Sequence, residues 1–354
     1  MKRIVISGYY GFGNIGDEAV LAGIFETFRH IGLDSHITVI SNDPARTAAQ
    51  HPGVSAIARN NIAAQLKTLI RADMFISGGG SLFQDATSAR SPYYYLFGLH
   101  LARLARCRTM VYAQGIGPLI RPGIRQAMRK AFGRVDVVSV RDECSAELLR
   151  QIGFTGMIHT CVDPSFMIEP DLEAAGRIIE DAGLGGKRLV GISLRPWSAF
   201  SDWIAQAADL IPHICEEVGA QAVFIPMQES QDDKIGSGPV LGHGGDPAIA
   251  KGLFAHCELV VGMRLHSLIF AVGSGVPCVP IVYDPKVSSF ANEIGVDTPI
   301  VVGADIDSLA SALRDLWDHR ELAARRLAEK SCELKEQALS CGRLVKQALG
   351  ILEH

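Results

Sequence analysis

The sequence holds no CxxC pair: its eight cysteines, Cys107, Cys144, Cys161, Cys215, Cys257, Cys278, Cys332 and Cys341, stand far apart. That spacing argues against a zinc site or a disulfide framework, and it suits a reducing cytosol in which thiols serve as small core residues. Long apolar runs are missing too; none approaches the roughly 20 residues that a spanning helix needs. The opening MKRIVISGYYGFG has two basic residues but an apolar stretch of only about four before polar residues and glycine, too short for a signal peptide. The expectation is therefore a cytoplasmic protein. Charge is sparse, 20% against 48% apolar, which excludes a disordered chain and fits a well-buried globular one. Low-complexity segments and usable internal repeats are absent. Acid is locally missing as well: between Asp85 and Asp136 there is none, while Arg90, Arg103, Arg106, Arg108, Arg121, Arg125, Arg129, Lys130 and Arg134 all fall there. The formal net charge is only −4, so the basic character is regional, and no nucleic-acid partner is expected.

With 354 residues the chain exceeds the usual size of one core, and two domains are expected. Short β-rich runs alternate with helix-period segments, the pattern of parallel sheets built from βαβ units. Strands are expected near 2–7, 36–41, 73–77, 109–113 and 136–140, with amphipathic segments at 18–31, 62–71, 92–106 and 122–133. A second series follows Asp163-Pro164, with strands near 188–194, 222–226, 258–261, 278–283 and 299–302. The fold class is thus α/β: two Rossmann-like domains in series, 1–170 and 171–354, the second ending in a tail of surface helices for which packing back on the first domain stays open. In the GT-B layout that this matches, parallel sheets face an interdomain cleft and ligands sit outside the carboxyl ends of the strands.

Four segments lie at such ends. SGYYGFGNIGDEAVL (7–21) matches the GxGxxG spacing with Gly11, Gly13 and Gly16, yet Asp17 and Glu18 stand where a pyrophosphate needs a neutral helix start. A tight turn with Asp17 capping the helix is one reading; Asn14 and Asp17 meeting sugar hydroxyls is the other. ISGGGSLFQD (76–85), with Gly79 and Gly80, is a phosphate-cradle type of loop or a loop squeezed against its neighbour, and AQGIGP (113–118) repeats the theme. Arg141 follows an apolar strand in VDVVSVRDECSAELL (135–149); an ion pair with Asp142 or Glu143 is the plain alternative to a ligand contact. The fourth, CELVVGMRLHSLIFAVGSGVPCVPIVYDPKV (257–287), says most. Arg264 and His266 open an otherwise apolar helix, where a charge is costly without an anionic partner, and Lys286 returns to the same edge after the next strand. Arg195, Gln228 and Asp232 also stand at strand ends, without assignable roles.

Taken together, GNIGDEAVL (13–21), SGGGSLFQD (77–85), QGIGP (114–118), VRDECSAELL (140–149), VGISLRPW (190–197) and GMRLHSLIFAVGSGVP (262–277) resemble the polysaccharide pyruvyl transferase family, and within it the cell-wall enzymes of the CsaB kind. The resemblance implies a GT-B-like fold, phosphoenolpyruvate as donor and no cofactor. It implies as acceptor N-acetylmannosamine on a lipid-diphosphate-linked disaccharide, and as product a 4,6-linked pyruvate ketal. Position by position, Arg141, Arg264 and Lys286 are similar to the family's donor-binding cations and His266 to its catalytic histidine. Asn14, Asp17, Gly79 and Gly80 are left to the acceptor.

The residues suit that chemistry independently. A donor with a phosphate and a carboxylate needs at least two fixed cations. His266 is placed to protonate an enol methylene, and the scheme requires no metal. A lipid-linked acceptor also gives the basic region a purpose; SPYYYLFGLHLARLARCR (91–108) would suit contact with the inner membrane surface, although an apolar helix face of this kind is more often core. Two other readings stay open: a GT-B glycosyltransferase using a nucleotide sugar, and a non-catalytic phosphoenolpyruvate-binding protein.

Overall fold

The computed structural model describes residues 1–86, 88–228, 232, 235–296 and 299–351. It divides into two units, Met1–Met167 with Glu336–His354, and Ile168–Lys335.

The first unit runs β1 (Lys2–Ser7), α1 (Ile15–His30), β2 (Ser35–Ser41), α2 (Pro44–Gln50), β3 (Ser55–Ala58), α3 (Ile62–Leu69), β4 (Met74–Gly78), α4 (Arg90–Leu104), β5 (Arg108–Gln114), α5 (Pro122–Phe132), β6 (Val137–Val140), α6 (Glu143–Gln151) and β7 (His159–Thr160). Its strands pair in parallel in the order β3-β2-β1-β4-β5-β6-β7. The order reverses between β1 and β4, which the register places side by side from Ile4↔Met74 to Ser7↔Ser77. Loops leaving these two strands diverge to opposite faces, and the gap between them is where an open α/β sheet receives a ligand.

The second unit continues with α7 (Leu172–Asp181), β8 (Leu189–Ser193), α8 (Ser201–Glu217), β9 (Gln221–Phe224), α9 (Pro247–Ala255), β10 (Leu259–Gly262), α10 (Leu265–Gly273), β11 (Cys278–Val282), α11 (Pro285–Glu293), β12 (Ile300–Val301) and α12 (Ile306–Ala348). The sheet order is β12-β11-β10-β8-β9, with its reversal between β8 and β10. Ser193, Gly262 and Pro280 fall in one row, so three adjacent strands end nearly level.

Central strands such as MFISG and LVVG are buried throughout, as continuous apolar runs between two helical layers should be. Helix starts are marked by short polar caps: Asn14, Asp43, Asn61, Asp142, Asp171, Asp246 and Asp284 each accept from a backbone N–H of the first turn. Among the described residues, no helix is long and apolar enough to cross a membrane, and the cysteines are all free, with Cys144 and Cys332 exposed and the other six buried.

Two features depart from the sequence reading. It places no strand at 55–58 or at 159–160, because SAIA is only half-buried and HT is two residues long, too little for an apolar alternation. It also counts the tail with the second domain while leaving open that it packs back on the first; α12 belongs to the second unit up to Lys335 and to the first beyond it. Leu309, Leu313 and Trp317 sit in the second unit's core, whereas Cys341, Val345, Ala348 and Leu349 pack with Ile24, Phe28 and Tyr112 in the first.

Candidate functional site

In the first unit the reversal point is built from backbone contacts that need glycine. Gly79 adopts φ +54°, and a Cβ there would lie 1.9 Å from Val20 Cγ1, so only glycine lets the β4 loop meet α1. The carbonyls of Gly79 and Gly80 accept from Gln114 Nε2 at 3.0 and 2.7 Å, and Gly115 N donates to Gly80 O at 2.8 Å. Further along, Gly117 N donates to Phe83 O and Asp85 N to Pro118 O, while the Asp85 carboxylate accepts from the N–H groups of Ile120 and Arg121. Residues 83–85 and 116–118 are therefore loops pressed together, the structural reading of the two motifs.

Asn14, not Asp17, caps α1, its Oδ1 accepting from Gly16 N at 3.0 Å. Asp17 instead borders Gly80, where an added Cβ would come within 2.9 Å of its Oδ1. Glu18 is buried; one oxygen accepts from Gly11 N at 2.8 Å and the other has no hydrogen-bond partner among the described residues. Desolvation pushes its carboxyl up to about 7, against the opposing pull of the Gly11 N–H. Arg141 is buried beside the same loop: Nη2 donates to Ser81 Oγ at 3.0 Å, Nη1 to Asp163 Oδ2 at 3.5 Å and Nε to Asp142 Oδ2 at 3.4 Å. Its guanidinium lies on Gly115, where any Cβ would stand 2.7 Å from Nη2. The expected Asp142 pairing is present, and Asp163, which the sequence offers only as a domain-boundary signal, is a second acidic partner.

In the second unit Arg264 is the residue preceding α10, and Ser267 ties back to its carbonyl through N and Oγ. The anionic partner its burial demands is supplied by the chain: Nε and Nη2 bind the Asp232 carboxylate bidentately at 2.9 and 2.5 Å. Asp232 Oδ2 also accepts from Gln228 N at 3.1 Å, which gives both of those unassigned residues a positioning role. Residues 229–231 and 233–234 lie outside the described residues. His266, half-buried, stands in the first turn of α10 on the same strand end. Lys286 begins α11, its Nζ 3.9 Å from Asp284 Oδ2 and 5.9 Å from the Tyr283 ring centroid. Arg195, two residues past β8, is bracketed by Trp197 and Tyr283 at 5.1 and 5.0 Å and donates through Nη1 to Tyr283 Oη at 3.2 Å. Three adjacent strands, β8, β10 and β11, thus present Arg195, Arg264 with His266, and Lys286 along one edge. Arg141 belongs to the first unit and the other three cations to the second.

Polar atoms left over inside a protein usually mark a missing partner. Here Ser77 Oγ, Gln114 Oε1 and Glu18 Oε2 in the first unit, and Ser193 Oγ and Arg195 Nε in the second, are buried without a hydrogen-bond partner among the described residues. All lie at or just beyond the carboxyl ends of the central strands, or on the helix turn facing them. Sequence spacing does not reveal them, since an orphaned Ser or Gln has no motif. Among the described residues, no group of three or more His, Cys, Asp or Glu side chains is placed to hold a metal ion.

Residues 14–285 match the family described as Polysaccharide pyruvyl transferase. The chain is 22% identical to the amylovoran biosynthesis protein AmsJ of Erwinia amylovora over 379 residues, covering 87% of this chain and 89% of that protein. Among solved structures it resembles a UDP-N-acetylglucosamine 2-epimerase from Listeria monocytogenes (TM-score 0.66, 13% identity, 100% and 98% of the two chains). It also resembles the MnaA–UDP structure of S. aureus (TM-score 0.65, 12% identity, 99% and 98%). At these identities the structural likeness establishes the fold alone, the expected GT-B-like α/β class.

Proposed function

Because the chain belongs to the polysaccharide pyruvyl transferase family, we propose that it transfers the pyruvyl group of phosphoenolpyruvate to a sugar, forming a 4,6-linked ketal during polysaccharide assembly. The observation that carries this reading is the row of Arg195, Arg264, His266 and Lys286 on the level ends of β8, β10 and β11, beside the orphaned Ser193 and Arg195 atoms. In this reading Arg264, Lys286 and Arg141 hold the donor's phosphate and carboxylate. The Asp232 clamp fixes one guanidinium edge of Arg264 so that its orientation is set before the donor arrives.

The reaction then follows from charge. Protonated His266 delivers its proton to the donor's methylene carbon, and the double-bond electrons form the new C–H bond. The adjacent carbon, now electron-poor, is attacked by one sugar hydroxyl, whose proton passes to the imidazole of His266. The second hydroxyl displaces phosphate from the same carbon and closes the ketal, its proton leaving with the phosphate, while the cations stabilise the departing anion. Asn14, Asp17, Gly79 and Gly80 serve the acceptor, for which N-acetylmannosamine on a lipid diphosphate is the proposed identity. Ser77, Gln114 and Glu18, with their unpaired atoms, extend that polar lining. The scheme uses no cofactor and no metal, and the assigned setting is the cytoplasmic side of cell-wall polymer synthesis.

The test is incubation with phosphoenolpyruvate and a synthetic lipid-linked aminosugar disaccharide. Phosphate release together with an acceptor mass increased by one ketal-bound pyruvate is expected. Phosphate-free transfer from a nucleotide sugar under the same conditions would instead identify a glycosyltransferase, and donor binding without turnover a binding protein.

A further inference from the structure

Helices α4 and α5 pack side by side and leave a groove of about 160 Å³ between them. Its floor is apolar, with Leu96, Leu99 and Ala131, and its exposed rim carries His100, Arg103, Lys130 and Arg134. Beside the groove, α4 exposes Tyr93, Phe97 and Leu104, which with His100 recur at helical spacing on one face. Leu104 is 65% exposed, and Ile120, just before α5, 61%. Large apolar side chains this open, on α4 and just before α5, the two helices that form a basic groove, are what a soluble surface avoids unless it meets something.

Charge identifies the partner. No acidic residue occurs from 86 to 135. The nearest carboxylate along the chain, Asp136, is taken up by the N–H and hydroxyl of Thr109. Some of the region's cations are committed internally: Arg108 donates to Ala348 O, Arg121 to Asp85 O and Arg125 to Leu119 O. By contrast Arg103, Lys130 and Arg134 make no ion pair among the described residues. A polyanion alone would satisfy these three, but it gives Leu104 and Ile120 nothing to contact. A surface that is anionic outside and hydrocarbon a few ångströms below satisfies both sets.

We propose that the α4–α5 face docks on an anionic phospholipid membrane, with lipid phosphates at the Arg103, Lys130 and Arg134 rim and Phe97, Leu104 and Ile120 entering the acyl boundary. The structure thus moves the basic contact from Arg103, Arg106 and Arg108 of the sequence segment to Arg103, Lys130 and Arg134, because Arg108 donates to Ala348 O, Lys130 lies on α5 and Arg134 follows that helix. The inference stands apart from pyruvyl transfer, since neither donor nor acceptor takes part in it.

The test is co-sedimentation of the full chain with sucrose-loaded vesicles of equal parts phosphatidylcholine and phosphatidylglycerol, and with phosphatidylcholine alone. Each surface cation should contribute about fivefold to the partition, so Arg103→Gln, Lys130→Gln and Arg134→Gln together should weaken it about 100-fold. Phe97→Ser with Leu104→Ser should weaken it roughly tenfold, with thermal midpoints unchanged because all five side chains are exposed. Binding that survives either set of changes, equal binding to the neutral vesicles, or no sedimentation of the unmodified protein overturns the proposal. Retention by single-stranded RNA that is insensitive to Phe97→Ser and Leu104→Ser overturns it in favour of a polynucleotide.

Discussion

Replacing Lys251 by methionine should flatten the dependence of the second unit's stability on pH. Lys251 lies on α9 with its side chain fully buried, and its ammonium donates to Ile168 O at 2.6 Å. Desolvation, helped by nearby Lys335 and opposed by Glu169, lowers its pKa from 10.5 to about 7. The folded unit therefore releases a proton that the unfolded chain still binds between about pH 7 and 10.5. Because the unfolded state holds more protons there, stability must rise with pH across that window. Below pH 7 both states are protonated and the cost is constant; above 10.5 it is gone. From pH 7 to 8.5 the gain is about 2 kcal/mol, at about 1.4 kcal/mol for each unit. The range is chosen to stop short of the buried thiols Cys215, Cys257 and Cys278, whose pKa values near 12 make stability fall at higher pH. The assay is urea unfolding followed by tryptophan fluorescence, which reports this unit selectively because Trp197, Trp203 and Trp317 all belong to it. Lys251→Met should remove the slope. An equal rise in stability for both proteins between pH 7 and 8.5 would refute the reasoning.

Three further outcomes follow from the same geometry. His266→Ala should lower turnover at least about 100-fold with an unchanged thermal midpoint, and near-normal phosphate release would remove it as the proton donor. Gly115→Ala drives a methyl into the Arg141 guanidinium, so donor affinity should fall about tenfold or more by calorimetry; Gly115→Ala combined with Arg141→Ala should be no worse than Arg141→Ala alone, and additive losses would contradict the shared cause. For Glu18, the folded carboxyl titrates near 7 and the unfolded near 4.5, so the folded chain binds the extra proton and stability falls as pH rises through that interval. Glu18→Gln should abolish that decline in circular-dichroism melts of the whole chain; an unaltered decline would show that another group causes it.

Much of the frame was legible because buried central strands announce themselves. Runs such as MFIS and LVV, each closed by a glycine, leave few alternatives to a parallel strand, and so the ends where ligands bind could be found. Edge strands carry half that signal, and β3 and β7 were invisible for that reason. The cations were legible too, since Arg264 in front of LIFAV demands an acid. What spacing does not encode is which acid answers: Asp232 lies 32 residues upstream, with nothing in the sequence to link it to Arg264. Nor does it separate glycines needed by neighbours from glycines needed by ligands. Gly79 serves Val20, and Gly115 makes room for Arg141, contacts that exist only once β4, β5 and β6 are assembled.

The helix shared between the units has a consequence for how the protein is made. Residues 1–167, with an entire seven-stranded sheet, leave the ribosome well before residue 341, yet Cys341, Val345 and Leu349 share the core of Phe28 and Tyr112. The earlier unit must wait, incomplete, while the later one is translated. No cut at the unit boundary yields two finished pieces, and a nascent chain stalled anywhere before residue 341 presents an open apolar face to whatever chaperone is at hand.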